Sequence, residues 1–165
     1  MKNLKKYAIM LLGLAFFASC EPTEVPEIGT ARDVLTSFSG TYTVSKVTQI
    51  DEGAVKKGFP YKTLNVTSFY TGLKATFNVG VDKTPTTFTF TPGASGNSIG
   101  TLNAGSWTVD DAKAPKEITL TSGSATSKLI MGNYTLLDAN KMMLKVVRKQ
   151  GANVVLTYEF EFTKN

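Results

Sequence analysis

The last stretch of the chain constrains everything before it. Val154, Leu156, Tyr158, Phe160 and Phe162 alternate with Val155, Thr157, Glu159, Glu161 and Thr163. Successive strand side chains point to opposite faces, so this spacing makes one apolar, aromatic face and one largely polar face. A strand of that kind rests one face on a core and turns the other to water, as antiparallel sheets do. Phe88 and Phe90 alternate with Thr87, Thr89 and Thr91 in the same way. Trp107 with Val109, Ile118 with Leu120, and Met142, Leu144 and Val146 repeat the pattern.

Turn-forming clusters divide these runs at intervals of about ten residues: Asp51-Glu52-Gly53, Thr71-Gly72, Asp82-Lys83-Thr84-Pro85, Pro92-Gly93, Ser122-Gly123-Ser124, Asp138-Ala139-Asn140 and Gln150-Gly151. The expected strands are 41–50, 62–70, 74–81, 86–91, 105–110, 116–121, 127–137, 141–149 and 153–163. One short helix precedes them. Thr30 as N-cap and Asp33 three residues on spell a capping box, and Val34, Leu35 and Phe38 supply its apolar face. Gly40 ends it, and no helical period follows. Nearly all connections suit hairpins, so neighbours in sequence should be neighbours in the sheet. The chain is therefore expected to be all-β, an antiparallel meander of eight to nine strands closing into a barrel, since closure removes exposed edges. A two-layer sandwich would need long crossovers, and only 91–105 offers one.

The N-terminus reads as an address. Lys2, Lys5 and Lys6 precede an uncharged, mostly apolar run from Tyr7 to Ala18, and small residues stand before Cys20. This is the layout of a secretory signal peptide, and the run is shorter than the ~20 apolar residues a membrane-spanning helix needs. Phe17-Ala18-Ser19-Cys20 resembles the lipobox of bacterial lipoproteins, with Phe17 where Leu is usual. That resemblance implies cleavage before Cys20 and acylation of the chain's single cysteine, which anchors the protein to a membrane. Residues 1–19 are then the signal peptide and 20–29 a flexible tether rich in Pro and Glu, leaving 30–165 as one domain. Acidic residues directly after the lipidated cysteine look like the surface-export signals of Bacteroidetes lipoproteins. An outer-membrane protein displayed at the cell surface is the expectation.

Removing the signal peptide takes 3 of the 18 basic residues, leaving 15 against 13 acidic ones. Little positive charge remains to attract nucleic acid. The chain has no histidine, which removes the commonest general base and metal ligand at once. One cysteine allows no internal disulfide and no CxxC pair. Asp110-Asp111 and Asp51-Glu52 sit at turns, where Asp serves backbone geometry. Glu159 and Glu161 share the polar face of the last strand, suited to pairing with Lys145 or Lys149. No calcium loop or phosphate cradle is spelled. The reading is non-enzymatic, with no metal or cofactor.

Phe38-Ser39-Gly40-Thr41-Tyr42-Thr43-Val44 looks like the opening of lipocalin-like domains, where a Gly-x-Trp seals one barrel end; Tyr42 replaces the Trp here. Gly105-Ser106-Trp107-Thr108-Val109, Glu117-Ile118-Thr119-Leu120, and Tyr134-Thr135-Leu136-Leu137 with Lys141-Met142-Met143-Leu144 are similar to lipocalin-like lipoproteins of Bacteroidetes. The resemblance covers about residues 30–165 and implies a lipocalin-like barrel more than any activity.

Two functions fit. In the first, a monomeric barrel binds a small apolar or amphiphilic ligand, with Phe77, Phe88, Trp107, Tyr134 and Tyr158 lining the site. In the second, a barrel filled by its own aromatics presents loops 53–61 and 91–105 to a glycan or envelope partner, through Phe59 and Tyr61.

Overall fold

The computed structural model describes residues 33–133 and 135–165. Cys20, the signal segment 1–19, the tether 20–29, Thr30 and Tyr134 lie outside the described residues. The compact unit Arg32–Asn165 supplies every residue of the core cluster, so the barrel has what it needs to fold by itself.

Among the described residues, nine strands form one antiparallel sheet: β1 (Gly40–Asp51), β2 (Thr63–Asn65), β3 (Lys74–Val79), β4 (Pro85–Thr91), β5 (Ala104–Val109), β6 (Glu117–Ser122), β7 (Ala125–Met131), β8 (Lys141–Gln150) and β9 (Asn153–Lys164). From β3 onward each pairs with the next, and β9 returns to β1 along nearly its whole length, Tyr42 opposite Lys164 and Asp51 opposite Leu156. Eight strands thus close into a barrel, and β2 is an extra strand on the far half of β1. A bulge between Val44 and Lys46 shifts the phase of β1, so Val44 and Val47 both face the core. The 91–105 stretch is no crossover: β4 and β5 pair directly, and the intervening loop folds back over the barrel.

The register defines two ends. Gly40, Phe77, Phe88 and Thr163 lie toward one; Asp51, Thr91, Arg148 and Leu156 lie toward the other. The first is sealed by α1 (Val34–Phe38). Its N-cap is Asp33 rather than Thr30: the carboxylate accepts from the Thr36 N–H at 3.0 Å, satisfying a first-turn donor. Phe38 drops from this helix into an aromatic cluster, 4.6 Å from the Phe77 ring, 5.5 Å from Trp107 and 6.4 Å from Tyr42. The Tyr42 hydroxyl donates to the Ser37 carbonyl at 3.0 Å, which ties the sealing helix to β1. Gly105 permits a close approach of β5 to β6, since a Cβ there would stand 2.0 Å from the Thr121 carbonyl oxygen.

Three short helical pieces depart from the all-strand expectation after Gly40. α2 (Glu52–Lys56) follows β1 directly, capped by the Asp51 carboxylate accepting from the Ala54 N–H at 2.9 Å. A 3-10 turn at Thr67–Tyr70 occupies the second half of the strand expected over 62–70. α3 (Thr135–Asp138) replaces the end of the strand expected over 127–137.

Candidate functional site

At the end opposite α1, a partly open pocket of about 380 Å³ sinks between the inner face of β8 and β9 and the loop that joins β4 to β5. The phase that buries Met142 and Leu144 carries Val146 and then Arg148 into its wall. β9 contributes Tyr158 and Phe160 by the same alternation. Tyr70 comes from the 3-10 turn and meets Phe160 edge-on, ring centroids 5.1 Å apart. Ser98 and Ile99 come from the overhanging loop, and Ile99 is buried in the core.

That loop is tied down. Ser95 Oγ and Asn97 Nδ2 both donate to the Phe69 carbonyl, at 2.5 and 2.8 Å. Gly93 lies so close to the Thr71–Gly72 backbone that a Cβ would stand 1.9 Å from the Thr71 oxygen. The pocket roof is therefore fixed to the 3-10 turn: Ile99 turns into the core, while most of the 91–105 loop stays exposed.

Electrostatically the pocket is a donor-rich site with one cation at its mouth. Burial raises the Tyr70 phenol above its usual value; the neighbouring Tyr158 phenol adds to this and the Arg148 guanidinium opposes it. Tyr70 is thus a neutral hydroxyl at ordinary pH and a ready hydrogen-bond donor. A volume near 400 Å³, apolar walls and a few convergent polar groups are the usual make-up of a small-molecule site.

The residues singled out from sequence divide between the two ends. Tyr158 lines the pocket. Phe77, Phe88 and Trp107 are fully buried at or near the sealed end and do not line it. Trp107 packs edge-on to Phe77 at 5.2 Å, and its indole N–H is already engaged by the Asn78 carbonyl at 2.9 Å. Phe38 of α1 packs directly against the Phe77 and Trp107 rings. Sequence reasoning missed Tyr70, Ser98 and Arg148. The signal for Arg148 was present, two residues beyond Val146 in an alternating run; nothing local marks Tyr70 or Ser98.

A second hollow, about 460 Å³, lies on the outer face of β1, β8 and β9 beneath α2, with Ile50, Val55, Ile130 and Val147 in its walls. Four of its polar groups pair with one another: Lys145 with Glu159 at 2.5 Å, and Thr157, which donates to Glu52 at 2.5 Å. Glu161 pairs with Lys46 at 3.2 Å. The Asp110 carboxylate accepts from the backbone N–H groups of Glu117 and Lys116, and these bonds lower its pKa. Asp111 accepts from the Lys113 N–H at 2.8 Å. Both serve the β5–β6 turn. Phe59 and Tyr61 are exposed, at 53% and 94%, between α2 and β2.

Comparison with protein-family models and with curated proteins finds no match.

Proposed function

We propose that this is a lipid-anchored outer-membrane protein, displayed at the cell surface, that binds a small amphiphilic molecule without transforming it. The observation that carries the reading is the pocket at the open end of the barrel, with aromatic and aliphatic walls and several hydroxyls. A core filled at one end and hollow at the other supports a rigid receptor, because the packed end holds the geometry that the hollow end uses. The anchor follows from the resemblance of Phe17-Ala18-Ser19-Cys20 to a lipobox.

The test is solvent extraction of the purified barrel followed by mass spectrometry, with thermal denaturation against a panel of amphiphiles. A ligand at about a hundredfold its Kd stabilises by roughly 2.7 kcal/mol. For a domain of this size that raises Tm by about 8 °C. A protein that yields no extractable molecule and shows no shift with any amphiphile refutes the reading.

A second reading rests on Tyr61 and Phe59: the Tyr61 ring is exposed to stack on a sugar or an envelope partner, beside an exposed Phe59 whose ring carries the Lys57 ammonium at 5.8 Å. Tyr61→Ala then abolishes capture of a glycan array ligand without changing Tm. Undiminished capture discards this reading.

A further inference from the structure

The barrel leaves two polar groups of the open-end pocket unengaged. The Ser98 hydroxyl oxygen is buried with no hydrogen-bond partner, which native structures seldom tolerate without a reason. Arg148 reaches the same pocket and makes no ion pair among the described residues. Lys46, Lys83, Lys128 and Lys145, by contrast, each hold a carboxylate. Beside them stands the neutral phenol of Tyr70, close enough to feel the Arg148 charge.

Resting on the binding function proposed above, we infer that the ligand is a compact amphiphile with a single carboxylate head, seated between the Arg148 guanidinium and the hydroxyls of Ser98 and Tyr70. The head is assigned by what the site offers. A guanidinium supplies donors and positive charge, and both hydroxyls are free to donate, so the complement is an acceptor carrying negative charge. A carboxylate matches the guanidinium fork with two parallel hydrogen bonds. A cationic head would be repelled by Arg148, and an uncharged alcohol would leave the guanidinium unmatched. The apolar part then lies along Ile99, Val146 and Phe160. A pocket of about 380 Å³ lies at the small end of ligand sites, which suits a compact medium-chain acid.

Isothermal titration of the barrel unit with octanoate and with octan-1-ol tests this. Octanoate should bind at least about tenfold tighter, the yield of a charge-assisted hydrogen-bond pair. The preference should shrink as salt rises, because Arg148 stands at an exposed mouth. Arg148→Gln should weaken octanoate about tenfold and leave octan-1-ol within about twofold. Ser98→Ala should weaken octanoate about threefold, as expected for a neutral hydroxyl donor. Arg148→Gln should keep the parent Tm, and Ser98→Ala should keep or raise it, because it removes a buried hydroxyl that has no partner in the unliganded barrel. Equal affinity for acid and alcohol, or indifference of octanoate to Arg148→Gln, overturns the inference and leaves the binding function standing. Failure of both probes to bind, in a protein that also fails the extraction and amphiphile-panel tests, overturns both together.

Discussion

Replacing Phe38 with alanine separates the sealed end from the binding end. Phe38 is almost wholly buried and faces Phe77, Trp107 and Tyr42 at once. Phe→Ala in a core costs about 3–5 kcal/mol, of which part is the cavity left behind. Relaxation is limited here on both sides. The three partner rings are themselves fixed in the barrel, Trp107 by its bond to Asn78 and Tyr42 by its bond to Ser37. A value near 4 kcal/mol is therefore expected, a large share of the about 5–15 kcal/mol that a domain possesses. At roughly 3 °C per kcal/mol for a domain of this size, Tm falls by about 12 °C. The assay pairs thermal denaturation with octanoate titration at a temperature where the variant remains folded. Affinity should be unchanged, because the pocket lies at the other end of the barrel. A Tm loss under about 4 °C would mean that Phe38 is not a core plug. A large loss of affinity in the folded variant would mean that the ligand reaches the sealed end, and the assignment of roles to the two ends would be wrong.

The barrel was legible in the sequence and the pocket was not, and both outcomes have a physical cause. A strand with one buried face writes its burial into every second residue, so β9 could be read from Val154 to Phe162 and β4 from its Phe-Thr alternation. Hairpin-length gaps then left few topologies. The short helical pieces escaped because one turn of helix has no period to show. In Glu52–Lys56 only the Asp51 cap marks the start, and Asp51 serves equally well in a turn. Thr67–Tyr70 consists largely of residues that also suit strands, and there tertiary context overrode local preference, whereas Thr135–Asp138 is simply too short to show a period. Alternation places Tyr158 inward but cannot say how far along the barrel the interior is filled. That depends on Phe38, which arrives from outside the sheet and packs against Trp107 and Phe77. Ser98 joins the site only through the fold of a long loop.

Gly105→Ala drives a Cβ into the Thr121 carbonyl oxygen, 2.0 Å away, and should cost at least about 2 kcal/mol by urea denaturation; an unmoved midpoint contradicts the close β5–β6 approach. The Asp33 carboxylate is held down at about 2, against its ordinary 3.8, first by the Lys83 ammonium at 2.8 Å and then by the Thr36 N–H. A depressed carboxylate stabilises above its unfolded value and ceases to as pH falls through its folded one, so this contribution is complete above pH 3.8 and fades toward pH 2. Asp33→Asn should flatten the acid limb of the stability curve in that window, and an unaltered slope would remove the ion pair from the account. Cys20→Ser should release the protein from the membrane fraction and abolish acyl incorporation; retention of labelled acyl chains by the variant would place the anchor elsewhere.

The most direct measurement uses the chain's single tryptophan as an internal reference. In a 1H–15N spectrum of the barrel unit titrated with octanoate, the backbone signals of Ser98, Arg148 and Tyr158 should move together and saturate. The Trp107 indole N–H, bonded to Asn78 at the sealed end, should stay in place. The largest shift at Trp107, or no shift anywhere, would contradict a barrel closed at one end that receives its ligand at the other.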